Sequence, residues 1–188
     1  MRVIPNIISG ARIVCAVILI YLAWEGYRNA YIVLLFASLV SDAIDGYIAR
    51  RFNASSKLGA KLDSLGDMAI YLTVPICAWW LWPHILRQEA LFVFITIAAY
   101  LAPLIAGLLK FRKVPSYHTF GAKIAAVLMS TAILLLFLTE FTWLFRIAAI
   151  FQVLVACEEI LITVRLPMLQ SNVKSIWHLS RPRIKEGS

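Results

Sequence analysis

Apolar residues run through this chain in six long stretches, roughly residues 8–25, 29–50, 58–82, 88–110, 118–139 and 143–165. Each is close to the ~20 residues that a bilayer core asks of a helix, and longer than most buried helices of soluble domains. Gly26 and Asn29, Pro83, Pro115 and the polar patch Glu140–Thr142 separate them. Pro75 and Pro103 fall inside stretches, where membrane helices tolerate the kinks they are expected to cause. The pattern predicts an all-α integral membrane protein of one domain, 1–188, with six transmembrane helices. Residues 1–7 read as a short interfacial lead-in and 166–188 as a basic tail. Pro5 and Asn6 interrupt the opening, so it does not read as a cleavable signal peptide.

Charge adds an orientation. The net charge is +8, but the basic residues do not interleave with aromatics as on a nucleic-acid-binding face, and no nucleic-acid partner is expected. They gather at one set of segment ends instead. With the N-terminus cytoplasmic, all but Arg28, Arg87 and Arg146 of the 18 Lys and Arg fall on the cytoplasmic side, a strong positive-inside bias. Both termini are then cytoplasmic, in a multi-pass protein of a plasma membrane. Trp79, Trp80, Trp82, Trp143 and Trp177 lie near predicted boundaries and read as an aromatic belt. Cys15, Cys77 and Cys157 lack metal-ligand spacing and read as small apolar fillers.

Against 62% hydrophobic residues, the only aspartates are Asp42, Asp45, Asp63 and Asp67, all between positions 42 and 67. A carboxylate at membrane depth costs about 2.5 kcal/mol or more on insertion scales, so such residues are rarely incidental. Spacings of three and four put each pair on one face of a helix. Asp42 lies about 12 Å before Arg50 by helical rise, and Asp67 about 12 Å beyond Gly59, so the pairs reach similar depth on the cytoplasmic side. Four hard oxygen donors suit magnesium or manganese. Gly46, Ala49 and Gly59 leave a groove on the same faces, shaped for a base or a diphosphate. The bland alternative is that the acids pair with Arg50, Arg51, Lys57 and Lys61 to staple two helices. Buried ion pairs are a poor source of stability, and stapling leaves the small residues unexplained. A cation transporter would need polar residues through the membrane, yet Tyr31 to Val40 has only Ser38 as a polar interruption.

Written as D-x2-D-G-x2-A-R-x8-G-x3-D-x3-D, the region resembles the signature of the CDP-alcohol phosphatidyltransferases, with every fixed position filled. The opening Pro5-Asn6-Ile-Ile-Ser9-Gly-Ala-Arg12 is similar to the start of the phosphatidylglycerophosphate synthase and cardiolipin synthase branches. The resemblance implies an enzyme that moves a phosphatidyl group from CDP-diacylglycerol to an alcohol acceptor with loss of CMP, using two divalent ions, Mg2+ or Mn2+, commonly as a homodimer. It implies metal ligation by Asp42, Asp45, Asp63 and Asp67, with Asp67 also the catalytic base. Asp42, Gly46, Ala49, Arg50 and Gly59 would bind nucleotide and diphosphate.

On the acceptor side the candidates are Asn6, Arg12, Lys110, Arg112, His118, Lys123 and Glu158. Lys123 stands out because it lies inside an apolar stretch about one turn from a loop. Glycerol 3-phosphate is the first acceptor expected, as in phosphatidylglycerophosphate synthase. The glycine-lysine-x-lysine-threonine run common there is absent, and Ser116-Tyr117-His118-Thr119-Phe120-Gly121-Ala122-Lys123 stands in its place. Glu158 and Glu159 also sit oddly with an anionic acceptor. Phosphatidylglycerol (as in cardiolipin synthase), inositol phosphate or another polyol therefore stays open.

Overall fold

The computed structural model describes residues 3–51, 57–113, 117 and 119–167, with side chains for 13–41, 66, 68–113, 117 and 119–167. The helices are α1 (Val3–Trp24), α2 (Arg28–Arg51), α3 (Lys57–Leu81), α4 (Pro83–Gln88), α5 (Ala90–Phe111), α6 (Phe120–Thr139) and α7 (Thr142–Arg165). No strand occurs among the described residues. Six of the helices correspond to the six apolar stretches. The seventh, α4, was not expected: Pro83 does not merely break the chain but opens a short helix, where its fixed φ and missing N–H cost nothing. Residues 3–7 of the expected lead-in are helical and continuous with α1, with Pro5 in its first turn. Pro75 and Pro103 lie inside α3 and α5.

The protein is an integral membrane protein. The helices α5, α6 and α7 are long and apolar enough to cross a bilayer, whereas Ile13–Trp24, Arg28–Ser41 and Met68–Leu81 are shorter apolar runs within α1, α2 and α3. In α2 and α3 the remainder of each helix carries the aspartate motif.

Two compact units make up the chain: residues 1–89 with 137–140, and residues 90–136 with 141–188. In the first, α1 packs on both α3 and α2. The buried positions recur at helical spacing: Ala16, Leu19 and Ala23 on α1, Tyr31, Leu35 and Ser38 on α2, and Ile70, Val74, Cys77 and Leu81 on α3. Small residues in these stripes let helix backbones approach closely, which drives association where lipid is as apolar as the interface. The end of α1 is shaped by Gly26, whose φ of 78° suits a residue without Cβ. Tyr27 N–H donates to Leu22 O at 2.9 Å and Gly26 N–H to Ala23 O at 3.2 Å, the paired bonds of a Schellman turn.

An aromatic cluster closes this unit. Trp82 stacks on Phe137 with centroids 4.4 Å apart and planes at 2°, Tyr31 lies 5.8 Å from Trp82, and the Arg28 guanidinium sits 5.7 Å over the Trp82 ring. Trp82 is 4% exposed, so it is a packing residue and not part of the expected aromatic belt. Trp79, Trp80 and Trp143 are exposed, as a belt requires. Trp82→Ala should therefore destabilise the detergent-solubilised protein by about 3 kcal/mol, read as a fall in Tm. The same change at exposed Trp79 should leave Tm nearly unmoved, and equal effects at both would show that the stack contributes nothing special.

In the second unit α5 packs on α7. Thr96, Ala99, Pro103 and Gly107 form the buried stripe of α5, and Ala148, Ala149, Val155 and Ala156 belong to that of α7. Again the stripes are dominated by small residues.

Candidate active site

Asp42, Asp45, Gly46, Ala49 and Arg50 all belong to α2, and Gly59, Asp63 and Asp67 to α3. The spacings within each half of the motif thus fall on unbroken helix, within one unit, and only the eight-residue gap from Arg50 to Gly59 runs between the two helices. The side chains of these residues, and all of residues 52–56, lie outside the described residues. Helical register still ties the positions to the buried stripes. On α2, buried Ser38 leads by steps of four, three and four to positions 42, 45 and 49. On α3, buried Ile70 leads back by three to 67, then by fours to 63 and 59. By helical rise Asp42 sits about 14 Å from the Arg51 end of α2, and Asp67 about 15 Å from the Lys57 end of α3.

No group of three or more His, Cys, Asp or Glu side chains converges as a metal site among the described residues, a set that leaves out these aspartate side chains. The donor set itself fits a hard divalent cation: four carboxylates, with no sulfur or imidazole in the motif.

The acceptor-side candidates divide differently. Asn6 and Arg12 lie on α1, with side chains outside the described residues, as is all of His118. Four others are described, all in the second unit. Lys110, in the last turn of α5, donates its ammonium to Thr163 O at 2.9 Å and Val164 O at 2.7 Å. It thereby caps the carbonyl end of α7, where a cation is favoured by the helix dipole. Arg112 is exposed and leaves α5 with a φ of 54°. Lys123 is exposed in the first turn of α6. Glu158, half-buried on α7, brings Oε2 to 3.3 Å from the point where a Cβ on Gly121 would lie.

The family model for CDP-alcohol phosphatidyltransferases matches residues 2–175, nearly the whole chain. The chain belongs to that family. Every candidate from Asn6 to Glu158 lies inside the matched span. Among curated CDP-alcohol phosphatidyltransferases and related proteins, the chain is 35% identical over 96 residues to a protein named putative cardiolipin synthase from Mycobacterium tuberculosis, covering 47% of this chain and 46% of that one. It is 34% identical over 65 residues to the CDP-diacylglycerol–glycerol-3-phosphate 3-phosphatidyltransferase of Aquifex aeolicus, covering 34% and 36%. It is 38% identical over 64 residues to a CDP-diacylglycerol–inositol 3-phosphatidyltransferase of Arabidopsis thaliana, covering 34% and 28%. The chain thus spans less than half the length of these relatives. No solved structure matches it.

Three further residues shape the second unit of the chain, and sequence reasoning missed their roles. Thr119, wholly buried, caps α6 by accepting the Ala122 N–H on its Oγ1 at 3.0 Å. A threonine just before an apolar run is an N-cap signal, so this one was legible. Tyr117 and Thr163 were not. Thr163 Oγ1 donates to Glu159 O at 2.9 Å, so Tyr117 Oη, 2.7 Å from Thr163 Oγ1, must be the donor of that bond. Tyr117 also packs with Ile162, Leu166 and Phe111, fastening the segment before α6 onto the end of α7.

Burial, the largest cause, pushes the Tyr117 phenol above its ordinary value of 10.0. The sign follows from proton linkage. Its contribution to stability is full below pH 10.0, the value when unfolded, and is lost as pH rises toward the higher folded value. Tyr117→Phe should cost about 1 kcal/mol at neutral pH and flatten the alkaline fall in Tm. A parallel alkaline slope in wild type and variant would remove the titration argument.

Proposed function

We propose that the protein transfers a phosphatidyl group from CDP-diacylglycerol to the hydroxyl of an alcohol, releasing CMP, at the cytoplasmic face of a bacterial inner membrane. It does so as a homodimer of six-span subunits. The observation that carries this reading is the complete eight-position motif laid along the unbroken helices α2 and α3 of a chain matched to the family almost end to end.

In this reading Asp42, Asp45, Asp63 and Asp67 hold two divalent ions, Mg2+ or Mn2+. The chemistry such ions supply when bound is neutralisation of the diphosphate and of the charge on the departing CMP. Gly46, Ala49 and Gly59 make room for the nucleotide, and Arg50 binds the diphosphate. Asp67 accepts the proton of the acceptor hydroxyl. The hydroxyl oxygen forms a bond to the phosphatidyl phosphorus, and the bond from that phosphorus to CMP breaks, its electron pair leaving with CMP. Positioning and charge neutralisation do most of the work in transfers of this type.

The acceptor is a glycerol hydroxyl in a phosphate-bearing molecule, with Lys123 and Glu158 on the acceptor side. Glycerol 3-phosphate is the first candidate. Phosphatidylglycerol, the cardiolipin synthase reaction, is favoured by a specific observation: Lys110 spends its charge on α7 carbonyls, leaving fewer cations for a dianion. The test is CMP release by the purified protein from CDP-diacylglycerol with magnesium or manganese, offered glycerol 3-phosphate, phosphatidylglycerol, inositol phosphate, inositol, serine or choline in turn. Release with one glycerol acceptor names the reaction. Release only with inositol phosphate or a nitrogenous alcohol overturns the acceptor, and failure to bind CDP-diacylglycerol overturns the class.

A further inference from the structure

Ser38 is the polar interruption in the apolar stretch from Tyr31 to Val40, and in the first unit it is 6% exposed. Its Oγ has no hydrogen-bond partner among the described residues. A serine buried in a membrane helix has a ready acceptor in the carbonyl one turn back. Other hydroxyls of this chain take that bond: Thr96 donates to Phe92 O at 2.8 Å, Thr131 to Val127 O at 2.9 Å and Thr163 to Glu159 O at 2.9 Å. Ser38 does not. The packing of α1 on α2 favours a small residue, but alanine would meet that need without burying a hydroxyl. The Ser38 hydroxyl therefore calls for a partner beyond the described side chains.

Its place on α2 points to one. Ser38 lies inside the apolar run Arg28–Ser41, and Asp42 is the first residue beyond that run. The two are four residues apart, one turn and about 6 Å along the axis. Residues at that spacing are neighbours on one face, and the buried stripe of Tyr31, Leu35 and Ser38 runs into the face of Asp42. We propose that Ser38 is a positioning residue of the metal site proposed at Asp42, Asp45, Asp63 and Asp67, its hydroxyl bonding to an oxygen of the shell of the bound divalent ion. The proposal rests on that reading of the aspartates and adds to it a residue outside the family motif. A hydroxyl can donate to a carboxylate or accept from a water, and magnesium keeps several waters, so a shell oxygen of either kind suits it. Outer hydrogen bonds of this sort orient the ligands of a metal, and losing one typically weakens binding about 10–100-fold.

The experiment titrates magnesium into the purified, detergent-solubilised protein and follows Tm, with no substrate and no turnover. It compares wild type with Ser38→Ala, Ser38→Cys and Tyr31→Phe. Ser38→Cys nearly keeps the volume, but a thiol is a weak hydrogen-bonding group and a poor match for magnesium. Tyr31 supplies the control: it carries a second buried hydroxyl on the same stripe, about 16 Å from Asp42 by helical rise. Both Ser38 variants are expected to raise the midpoint of the magnesium titration about tenfold. Their Tm without magnesium should not fall, because the hydroxyl removed has no protein partner. Tyr31→Phe should move the midpoint less than about twofold. An unchanged midpoint in Ser38→Ala would overturn the proposal, as would a Tm lowered equally with and without magnesium, the mark of a packing role. A Ser38→Cys variant that binds magnesium like wild type would assign the effect to volume, and an equal shift in Tyr31→Phe to the loss of any buried hydroxyl. If Ser38→Ala does not fold, Ser38→Cys decides alone. A wild type whose Tm ignores magnesium fails earlier, at the metal reading of the aspartates, and takes Ser38 with it.

Discussion

Asp67→Asn is expected to abolish CMP release while the protein still folds and binds CDP-diacylglycerol. Asparagine keeps the size of the side chain and sits as well in α3, so the helix has no reason to break. What disappears is the negative charge and the basic oxygen. Loss of a general base alone costs about 10²–10⁴-fold. Loss of one of the four carboxylates proposed to hold metal adds to this, so a fall of at least about 10³-fold is expected. Donor binding should weaken far less, because three carboxylates and Arg50 remain. The decisive comparison is turnover against donor binding in the same preparation. Activity within tenfold of wild type would remove Asp67 as base, whereas loss of both turnover and binding would make it a purely structural or ligating residue.

Stripping divalent ions should have an effect of similar size. A chelator is expected to bring CMP release to background, and magnesium or manganese to restore it. The physical reason is that four carboxylates brought together, as proposed for those of α2 and α3, repel one another unless a cation lies among them. The same linkage predicts a stability effect that needs no turnover. Metal at a hundred times its Kd should stabilise the fold by about 2.7 kcal/mol, measurable as a rise in Tm. Replacing Asp42 and Asp63 together by asparagine should remove that rise. Chelator-resistant turnover with a Tm indifferent to metal would refute the metal assignment and reopen the stapling alternative.

The aspartate motif and the six long helices were legible because both are local properties. Periodicity of three and four residues is written along a single helix, and apolar length is a sum over neighbours in sequence. Pro83 was legible as punctuation but not as the start of α4, since a break and a helix N1 share the same residue preference. Trp82 read as a belt residue because its sequence position is a boundary. Its burial depends on Phe137, 55 positions away, which sequence proximity does not reveal. Lys110 read as a candidate for an anionic substrate, and its ammonium instead meets carbonyls of residues 163 and 164.

By itself, then, the sequence determined the family, the helical class and the positions of the carboxylates along α2 and α3. Tertiary structure alone decided which polar side chains meet which partners: Lys110 on the end of α7, Tyr117 on Thr163, and Glu158 Oε2 beside the backbone of Gly121. The difference has a physical cause. A helix face follows from backbone geometry that every residue shares, whereas a partner across two helices depends on the rotation and axial offset at which they pack.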